Sequence, residues 1–304
     1  MGSYVTRLAL EKGYYVRGID KCTYASRKEP LLKEFSDYKN FYFEQKDICN
    51  INSLFDCDYF VNTAAETHVG NSIIESNTFM HSNVDGVYSI LQAFKNYKVE
   101  GNKRPIFFHF STDEVYGDIN DGSFKETDIL KPSNPYSATK AAGDMLIKAW
   151  HRTYNINYIL LRPSNNYGIG QYIEKLIPKS VKYLNLGRKI PIHNNGSPIR
   201  GWLHAADTAS AVIHLIEKNI KNEIYNISGN YYDTNLNVSK KIIKNFNGDD
   251  EYKKYLDFSY SRKGQDVRYS VDDSKLKATG WVPVKKFDEE LPSIINFYKD
   301  NYIW

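Results

Sequence analysis

The chain has 304 residues, of which 41% are hydrophobic, and a formal net charge of +4 from 40 basic and 36 acidic residues. That length suits one large domain or two modest ones with a sizeable core. The charged residues are scattered and form no block of one sign, so we expect no nucleic-acid partner.

The spacing of the cysteines and the length of the apolar runs indicate in which cellular compartment the protein resides. Cys22, Cys49 and Cys57 are unevenly spaced and form no CxxC pair, so the sequence predicts neither a disulfide framework nor a metal site. No stretch approaches the roughly 20 apolar residues of a membrane span, and the opening MGSYVTRLAL lacks the features of a signal peptide. We therefore expect a soluble, cytoplasmic protein without a membrane partner.

Short apolar runs alternate with segments of helical period through the first half. The strand-like runs are YYVRGID, DYFVNTAA, PIFFHFST and YILLRPSN, and the helical stretches include Ile74 to Tyr97 and Pro135 to Tyr154. Strands buried on both faces and separated by helices predict an α/β fold with a doubly wound parallel sheet. After about Asn166, Gly and Pro interrupt the pattern, so we predict a dinucleotide-binding domain at 1–166 and a smaller, partly interleaved lobe at 167–304.

The residues that end these runs predict where ligands bind. In open α/β sheets, ligands lie beyond the carboxyl ends of the strands. Asp20, Ala64 to Thr67, Ser111 to Glu114, and Ser164 to Tyr167 occupy those positions, so we expect one cleft. An acidic residue such as Asp20 can accept hydrogen bonds from an adenine ribose, although a turn or cap role is the alternative.

The stretch FFHFSTDEVYG ends a buried run with two adjacent carboxylates, Asp113 and Glu114, called the carboxylate pair below. Like charges at contact distance raise each other's pKa and cost stability. A coupled pair in a dry cleft separates its two titrations, so that one carboxyl is protonated while the other is ionised. Because a strand points consecutive side chains to opposite faces, this role requires the backbone to leave the pleat near Asp113.

The segment NPYSATKAAGD predicts a helix start, with Asn134 as N-cap and Pro135 at the first helical position. Tyr136 and Lys140 then share one helix face. A cation beside a phenol lowers its pKa from about 10, so Tyr136 could accept a proton near neutral pH. A solvated helix face is the alternative, because this spacing is common by chance.

Together, STDEVYG, PYSATKAAGD, RPSNNYG, EKLIP and IRGWLHAAD resemble the extended short-chain dehydrogenase/reductase superfamily, and within it the nucleotide-sugar 4,6-dehydratases acting on dTDP-glucose or UDP-glucose. The resemblance runs from Gly2 to Trp281. It implies a Rossmann-like fold, tightly held NAD and a homodimer. It also implies an NAD-dependent hydro-lyase that makes a 4-keto-6-deoxy sugar nucleotide, on the way to a 6-deoxy sugar such as rhamnose.

The resemblance also implies catalytic roles. In the family, a tyrosine removes the proton of the 4-hydroxyl while the C4 hydride moves to NAD⁺. A glutamate then takes the C5 proton, an aspartate protonates the departing 6-hydroxyl, and the hydride returns to C6. Carried over, Tyr136 is the oxidation base, Lys140 its partner and a ribose ligand, and Thr112 a sugar contact. Glu114 is the C5 base and Asp113 the C6 acid.

Two binding sets follow from the same resemblance. The cofactor set is Asp20, Lys21, Thr23, Asp47, Ile48, Ala64, Ala65, Thr67, Ser82, Tyr136, Lys140 and Asn166. The nucleotide-sugar set is Thr112, Asn165, Lys175, Leu176, Pro191, Ile192, His193, Arg200, Asn235, Arg262 and Asp266. Arg200 and Arg262 also have a physical reason, because guanidinium groups clamp pyrophosphate oxygens in a bidentate way. A solvated role is the alternative for any single surface arginine.

The chain departs from the family pattern at its start. Family members begin with a strand and a G-x-x-G-x-x-G turn that receives the cofactor pyrophosphate, whereas Gly2 here matches the last of those glycines. We therefore predict a sheet without its first strand, and we favour a missing upstream segment over gene decay. Gly70, Gly201 and Gln265 also differ from the family pattern, which bears on the sugar and base more than on the reaction.

Two other functions stay open. A 4-epimerase or decarboxylase would use the same Tyr136 and Lys140 but would not need the carboxylate pair. A non-catalytic relic that lost its dinucleotide loop would bind a nucleotide sugar without NAD. The sequence does not separate dTDP-glucose from UDP-glucose.

Overall fold

The computed structural model of the chain describes residues 1–98, 104–261 and 266–303, so Arg262 and Gln265 lie outside the described residues. In these ranges the α-helices are α1 (Gly2–Glu11), α2 (Lys28–Phe35), α3 (Val69–Ile74), α4 (Asn77–Met80), α5 (Gly86–Asn96), α6 (Pro135–Tyr154), α7 (Leu176–Asn185), α8 (Ala205–Glu217), α9 (Asn235–Asn247), α10 (Ser274–Lys277) and α11 (Phe287–Asp300). The strands are β1 (Val16–Asp20), β2 (Phe41–Gln45), β3 (Tyr59–Asn62), β4 (Ile106–Phe110), β5 (Asn157–Pro163), β6 (Asn165–Tyr167), β7 (Ile190–Pro191), β8 (Ile199–His204), β9 (Glu223–Ile227), β10 (Tyr231–Thr234) and β11 (Leu256–Asp257).

The parallel strands fall into two groups. β1 pairs with β2, while β3, β4, β5 and β9 form a parallel sheet in that order. Among the described residues, no strand pairing joins β1 to β3. The break lies where the family resemblance places its first strand, and the predicted α/β fold with a doubly wound parallel sheet is confirmed.

Helices cover both faces of the larger sheet because its strands are apolar on both sides. Phe107 and Leu160 pack in one core with α5 and α6. Phe108, Ile159 and Leu161 pack in another with α1 and α8. Since consecutive strand residues point to opposite faces, a continuous apolar run such as β4 supplies both cores.

Both predicted helices are present, and one of them begins later than expected. α6 spans Pro135–Tyr154, and the Asn134 side chain accepts a hydrogen bond from the Ser137 N–H at 3.0 Å. The helix expected from Ile74 to Tyr97 is present at 77–96, where α4, a π-helical turn and α5 follow one another without a break. It begins later than expected because Glu75 is extended and its carboxylate accepts from the Asn77 N–H at 2.7 Å. Such a local side-chain bond competes with helix continuation.

The second lobe is built on a mixed sheet in the order β10, β8, β6, with β10 antiparallel and β6 parallel to β8. Trp202 of this sheet and Phe287 pack in a core with α7, α9 and α11. β9 and α8 follow residue 166 yet pack with the first lobe, and the division at that residue stays a prediction. In the described ranges, no helix combines the length and hydropathy that a membrane crossing requires.

Candidate active site

Buried hydroxyl groups without partners mark the carboxyl ends of β4 and β5. Ser111 directly follows β4 and Ser164 directly follows β5. Both side-chain oxygens are buried and have no hydrogen-bond partner in the described part of the chain. Buried polar groups are normally paired, so these two point to the edge where an α/β sheet holds its ligand.

The backbone leaves the pleat directly after β4. Thr112 is the N-cap of a 3₁₀-helix at Asp113–Tyr116. Its hydroxyl accepts from the Glu114 N–H at 3.3 Å and donates to Asp113 Oδ1 at 3.1 Å. The geometric condition for both acids to serve one site is therefore met.

The two members of the carboxylate pair have different electrostatic surroundings. Asp113 is 3% exposed, and burial followed by the Glu114 charge raises the pKa of Asp113 to about 7. Burial also raises the pKa of Glu114, but Arg200, Tyr269 and Lys175 act to lower it. The structure thus makes Asp113 the carboxyl that holds a proton near neutral pH and places cations near Glu114.

Tyr136 and Lys140 are both buried on α6, and their electrostatics contradict one prediction. Burial, followed by the carboxylate pair, raises the pKa of Tyr136, against the lowering effect of a hydrogen bond with Thr112. The Lys140 ammonium lies 3.4 Å from His109 Nε2, and burial lowers the pKa of Lys140 to about 8. The expectation that Lys140 lowers the pKa of Tyr136 is therefore wrong for this structure, because the lysine contacts His109 while two carboxylates face the phenol.

A buried network of an ion pair and hydrogen bonds anchors the 3₁₀-helix that carries the carboxylate pair. Arg162 Nε donates to Asp144 Oδ2 at 2.9 Å, and Arg162 Nη1 donates to the Tyr116 hydroxyl at 2.7 Å. Tyr116 donates in turn to Asn226 Oδ1 at 2.8 Å. The network joins β5, α6 and β9 to the last residue of the 3₁₀-helix, so it holds the carboxylate pair in place.

The predicted adenosine residues lie at the carboxyl ends of β1 and β2. Asp20 Oδ1 accepts from the Cys22 N–H at 2.6 Å, and Lys21 Nζ lies 2.7 Å from Asp47 Oδ2. Although burial opposes it, the Lys21 ammonium helps to lower the pKa of Asp47 to about 2. Thr23 is exposed two residues after Lys21, and Ile48 is buried directly after Asp47.

A cluster of ligand-type atoms adjoins this region. Asp47, Cys49 and His81 place such atoms within 4.8 Å of one another. Burial and the Asp47 charge raise the pKa of the Cys49 thiol to about 12, which disfavours the thiolate that a metal binds. Cysteine spacing does not show this cluster because its members come from separate elements.

The loop after β3 meets the start of α7. Ala64 and Ala65 lie in this loop, and the Thr67 carbonyl accepts from Lys175 Nζ at 2.9 Å. Lys175 is the N-cap residue of α7, and Leu176 is its first residue. The structure therefore brings predicted cofactor and nucleotide-sugar residues together here.

Predicted residues on β6 and near α5 lie around the same edge. Asn165 and Asn166 are partly buried on β6, and Asn166 Oδ1 accepts from the Thr208 hydroxyl at 2.7 Å. Ser82 lies in a π-helical turn at His81–Asp85, directly before α5.

The remaining nucleotide-sugar residues divide between two places. Arg200 Nη2 donates to the Asp266 carbonyl at 3.1 Å, close to the carboxylate pair. The others make contacts within the second lobe. Ile192, which follows Pro191, donates to the Asp257 carbonyl at 2.8 Å; the His193 ring lies 5.8 Å from the Tyr260 ring; and the Asn235 N–H donates to the Pro198 carbonyl at 3.0 Å.

Sequence reasoning missed three residues at the site. His109 contacts Lys140, while Tyr269 and Ser133 both bond Asp266. An imidazole inside the buried run FFHF is a signal that could have identified His109. Tyr269 and Ser133 have no such signal, because only the fold brings them to the site.

Known proteins resemble this chain over nearly its whole length. Residues 1–293 match the GDP-mannose 4,6 dehydratase family. The dTDP-glucose 4,6-dehydratase of Haemophilus influenzae is 38% identical over 308 residues, which cover 94% of this chain and 91% of that protein. The dTDP-glucose 4,6-dehydratase of Streptomyces venezuelae, solved with NAD bound, is 32% identical with a TM-score of 0.92, covering 99% of this chain and 94% of that one. A UDP-glucuronic acid 4-epimerase of Bacillus cereus has a TM-score of 0.88 over 99% of this chain and 96% of its own, but at 23% identity it supports the fold alone.

Proposed function

The chain belongs to the GDP-mannose 4,6 dehydratase family, and from this premise we propose that it is an NAD-dependent nucleotide-sugar 4,6-dehydratase. Its substrate in this proposal is dTDP-glucose or UDP-glucose, and its product is the 4-keto-6-deoxy sugar nucleotide. The observation that carries the proposal is the meeting of a buried Asp113, its neighbour Glu114 and Tyr136 at the carboxyl end of β4. An epimerase has no use for the two acids.

The residues present fit NAD at both of its ends. Asp20 and Asp47 can accept hydrogen bonds from the adenosine, and Lys140 can donate to the nicotinamide ribose. The unpartnered hydroxyls of Ser111 and Ser164 lie at the carboxyl ends of β4 and β5. When bound, NAD supplies the hydride acceptor for C4 and returns the hydride to C6. The other members of the cofactor set keep their proposed contacts along the dinucleotide.

Tyr136 serves as the base for the 4-hydroxyl. Its raised pKa has to fall before it can accept that proton. Protonation of Asp113 removes one of the negative charges that raise the pKa of Tyr136. Lys140, one helical turn along α6, is the cation within reach once it turns from His109.

The carboxylate pair then eliminates water. Glu114 takes the C5 proton, and the electron pair of that C–H bond forms the C5–C6 double bond. Asp113, with a pKa of about 7, gives its proton to the 6-hydroxyl, which leaves as water. The two roles follow from the different surroundings of the pair.

Cations near the pair suit the diphosphate of a nucleotide sugar. Arg200 and Lys175 both act electrostatically on Glu114, and Arg200 is 6% exposed. We assign Arg200 to the diphosphate, and we keep Thr112, Asn165, Leu176, Asp266 and the second-lobe residues as further contacts. The product would feed the synthesis of a 6-deoxy sugar such as rhamnose.

We also propose a cytoplasmic homodimer formed through α5 and α6. Tyr88 of α5 is 47% exposed and Met145 of α6 is 48% exposed, so these adjacent helices present large apolar side chains to solvent. Exposed apolar surface of this kind often marks a protein interface. The free thiols of Cys22, Cys49 and Cys57 suit a reducing compartment.

The direct test is to identify any nucleotide released from the purified chain and then to incubate the chain with dTDP-glucose, UDP-glucose and GDP-mannose. We expect bound NAD and a product lighter by one water in mass spectrometry. Glu114→Gln should lower the dehydration rate at least 100-fold, in the range of a lost general base. If Glu114→Gln leaves turnover intact, the result would support the epimerase or decarboxylase alternative. If no NAD is present and Tyr136→Phe changes no measured activity, the result would support the alternative of a non-catalytic protein that binds a nucleotide sugar.

A further inference from the structure

Three buried polar side chains form a line of contacts beneath the site. Asn62 Nδ2, at the end of β3, lies 3.2 Å from His109 Nδ1 on β4. His109 Nε2 lies 3.4 Å from Lys140 Nζ on α6. All three side chains are buried, so solvent does not compete for these contacts. Gly143 of α6 lets the imidazole lie against the helix, since a Cβ there would be only 3.4 Å from His109 Nε2.

The orientation of the Asn62 amide determines which nitrogen of His109 carries hydrogen. Asn62 Oδ1 accepts from the Ala64 N–H at 3.2 Å, so the amide nitrogen is the end that faces the ring. An amide nitrogen only donates, so His109 Nδ1 must accept. Burial, followed by the Lys140 charge, keeps the pKa of His109 well below its ordinary value, so the ring is neutral with a single N–H. That hydrogen is therefore assigned to Nε2, the nitrogen that faces Lys140.

An Nε2–H group can form a hydrogen bond with only one protonation state of Lys140. A neutral amine has a lone pair that accepts from Nε2–H, whereas an ammonium has only donors and places N–H against N–H. Burial lowers the pKa of Lys140 to about 8, with Asp144 of the same helix acting against it, so both states are accessible near neutral pH. The position beside His109 therefore stabilises the neutral lysine and disfavours the charged one.

We propose that Asn62 and His109 are positioning residues for Lys140, because the tautomer that Asn62 selects gives the ammonium no acceptor at His109 and so directs it to Tyr136. This inference rests on the proposed dehydratase function and deepens it. When Lys140 takes a proton from water, the bond from Nε2–H breaks and the histidine keeps its hydrogen. The carboxylate pair raises the pKa of Tyr136, and the released ammonium, one helical turn away, opposes that effect.

Nitrogen-15 NMR of the NAD-bound chain, labelled at its 7 histidines, tests the tautomer directly, because it distinguishes a ring nitrogen that carries hydrogen from one that accepts. We expect the His109 signals, identified by their absence in His109→Phe, to show an accepting Nδ1 and a hydrogen on Nε2. In Asn62→Leu nothing donates to Nδ1, so the hydrogen should move there and Nε2 should accept from the ammonium. An Nδ1–H tautomer in the wild type would overturn the inference.

The rate of C4 oxidation gives a second readout. Asn62→Leu should slow the appearance of reduced cofactor in a single turnover about 10- to 100-fold, the effect of one hydrogen bond that keeps the ammonium from Tyr136, with KM changed less than about twofold. Adding His109→Phe should restore most of that rate, because a phenyl ring has no nitrogen to bind the lysine. Asn185→Leu is the matched control, since its amide donates to the Lys299 carbonyl at 3.0 Å in the second lobe, and its rate should equal that of the wild type.

The double variant separates positioning from packing. A double variant as slow as Asn62→Leu, or slower, would show that Asn62 acts through packing alone, and would overturn the inference while leaving the dehydratase proposal standing. If thermal unfolding shows that Asn62→Leu does not fold, the tautomer of the wild type decides. A wild-type chain that dehydrates none of the three sugar nucleotides would overturn the proposed function, and with it this role of Lys140, whichever tautomer is found.

Discussion

Asp113 and Glu114 are adjacent carboxylic acids that the fold places in different surroundings. Asp113 is buried against the Glu114 charge, whereas Glu114 is partly exposed and lies near Arg200 and Lys175. Desolvation disfavours a charge, and nearby cations favour one. Environment is therefore the physical basis of the acid and base roles that we propose, since the side chains differ by a single methylene.

The raised pKa of Asp113 predicts a pH-dependent cost to stability. Between its ordinary value of 3.8 and about 7, the unfolded state releases this proton while the folded state retains it, so stability falls as pH rises through that window. Asp113→Asn removes the cost and should increase the free energy of unfolding at pH 8 by about 1–3 kcal/mol, with a smaller effect at pH 4. Urea unfolding at both pH values measures this, with the exposed Asp37→Asn as control. Equal gains at both pH values would contradict the assignment.

At the scale of elements, the 3₁₀-helix at Asp113–Tyr116 is the turn on which the site depends. It ends at Gly117, whose φ of +82° and ψ of −166° are essentially restricted to glycine. A Cβ there would lie 2.5 Å from the Lys131 carbonyl oxygen. The acids are therefore positioned by a backbone that tolerates no side chain at its end.

Gly117→Ala should destabilise the protein by about 2–3 kcal/mol and lower kcat by displacing Glu114. Gly122→Ala is the matched control, because Gly122 also has a positive φ, +75°, but a Cβ there meets nothing within 4 Å. Thermal unfolding and dehydration rates of both variants are the measurements. Similar losses in the two variants would show that backbone strain, and not the contact with Lys131, is responsible.

Local signals predicted α6 but not β2 or the break after α3. Asn134 and Pro135 start α6 through bonds and dihedrals that involve only neighbouring residues. β2 has the sequence FYFEQ, in which three aromatic residues are followed by a charged residue and an amide, so it lacks a clear strand pattern. It becomes a strand by pairing in parallel with β1. The helix break at Glu75 depends on a side-chain bond that periodicity does not show.

At the scale of the whole molecule, the exposed apolar face of α5 and α6 predicts the assembly. Tyr88→Lys should convert a homodimer to a monomer, because a charge in the centre of an apolar interface is buried at high cost. Light scattering after size exclusion measures the mass. Tyr15→Lys is the control, since Tyr15 is 90% exposed and lies before β1. A monomeric wild type, or a dimer that survives Tyr88→Lys, would contradict this interface.

The sequence by itself determined the features that depend on neighbouring residues. The alternation of apolar runs and helices, the N-cap at Asn134, and the adjacency of Asp113 and Glu114 can all be read along the chain. The tertiary structure alone decided which groups meet across long separations, such as Tyr269 with Glu114 and Asn226 with Tyr116. It also decided that Lys140 contacts His109 and that Tyr136 has a raised pKa. The physical reason is that desolvation and long-range hydrogen bonds arise only when segments distant in sequence pack together.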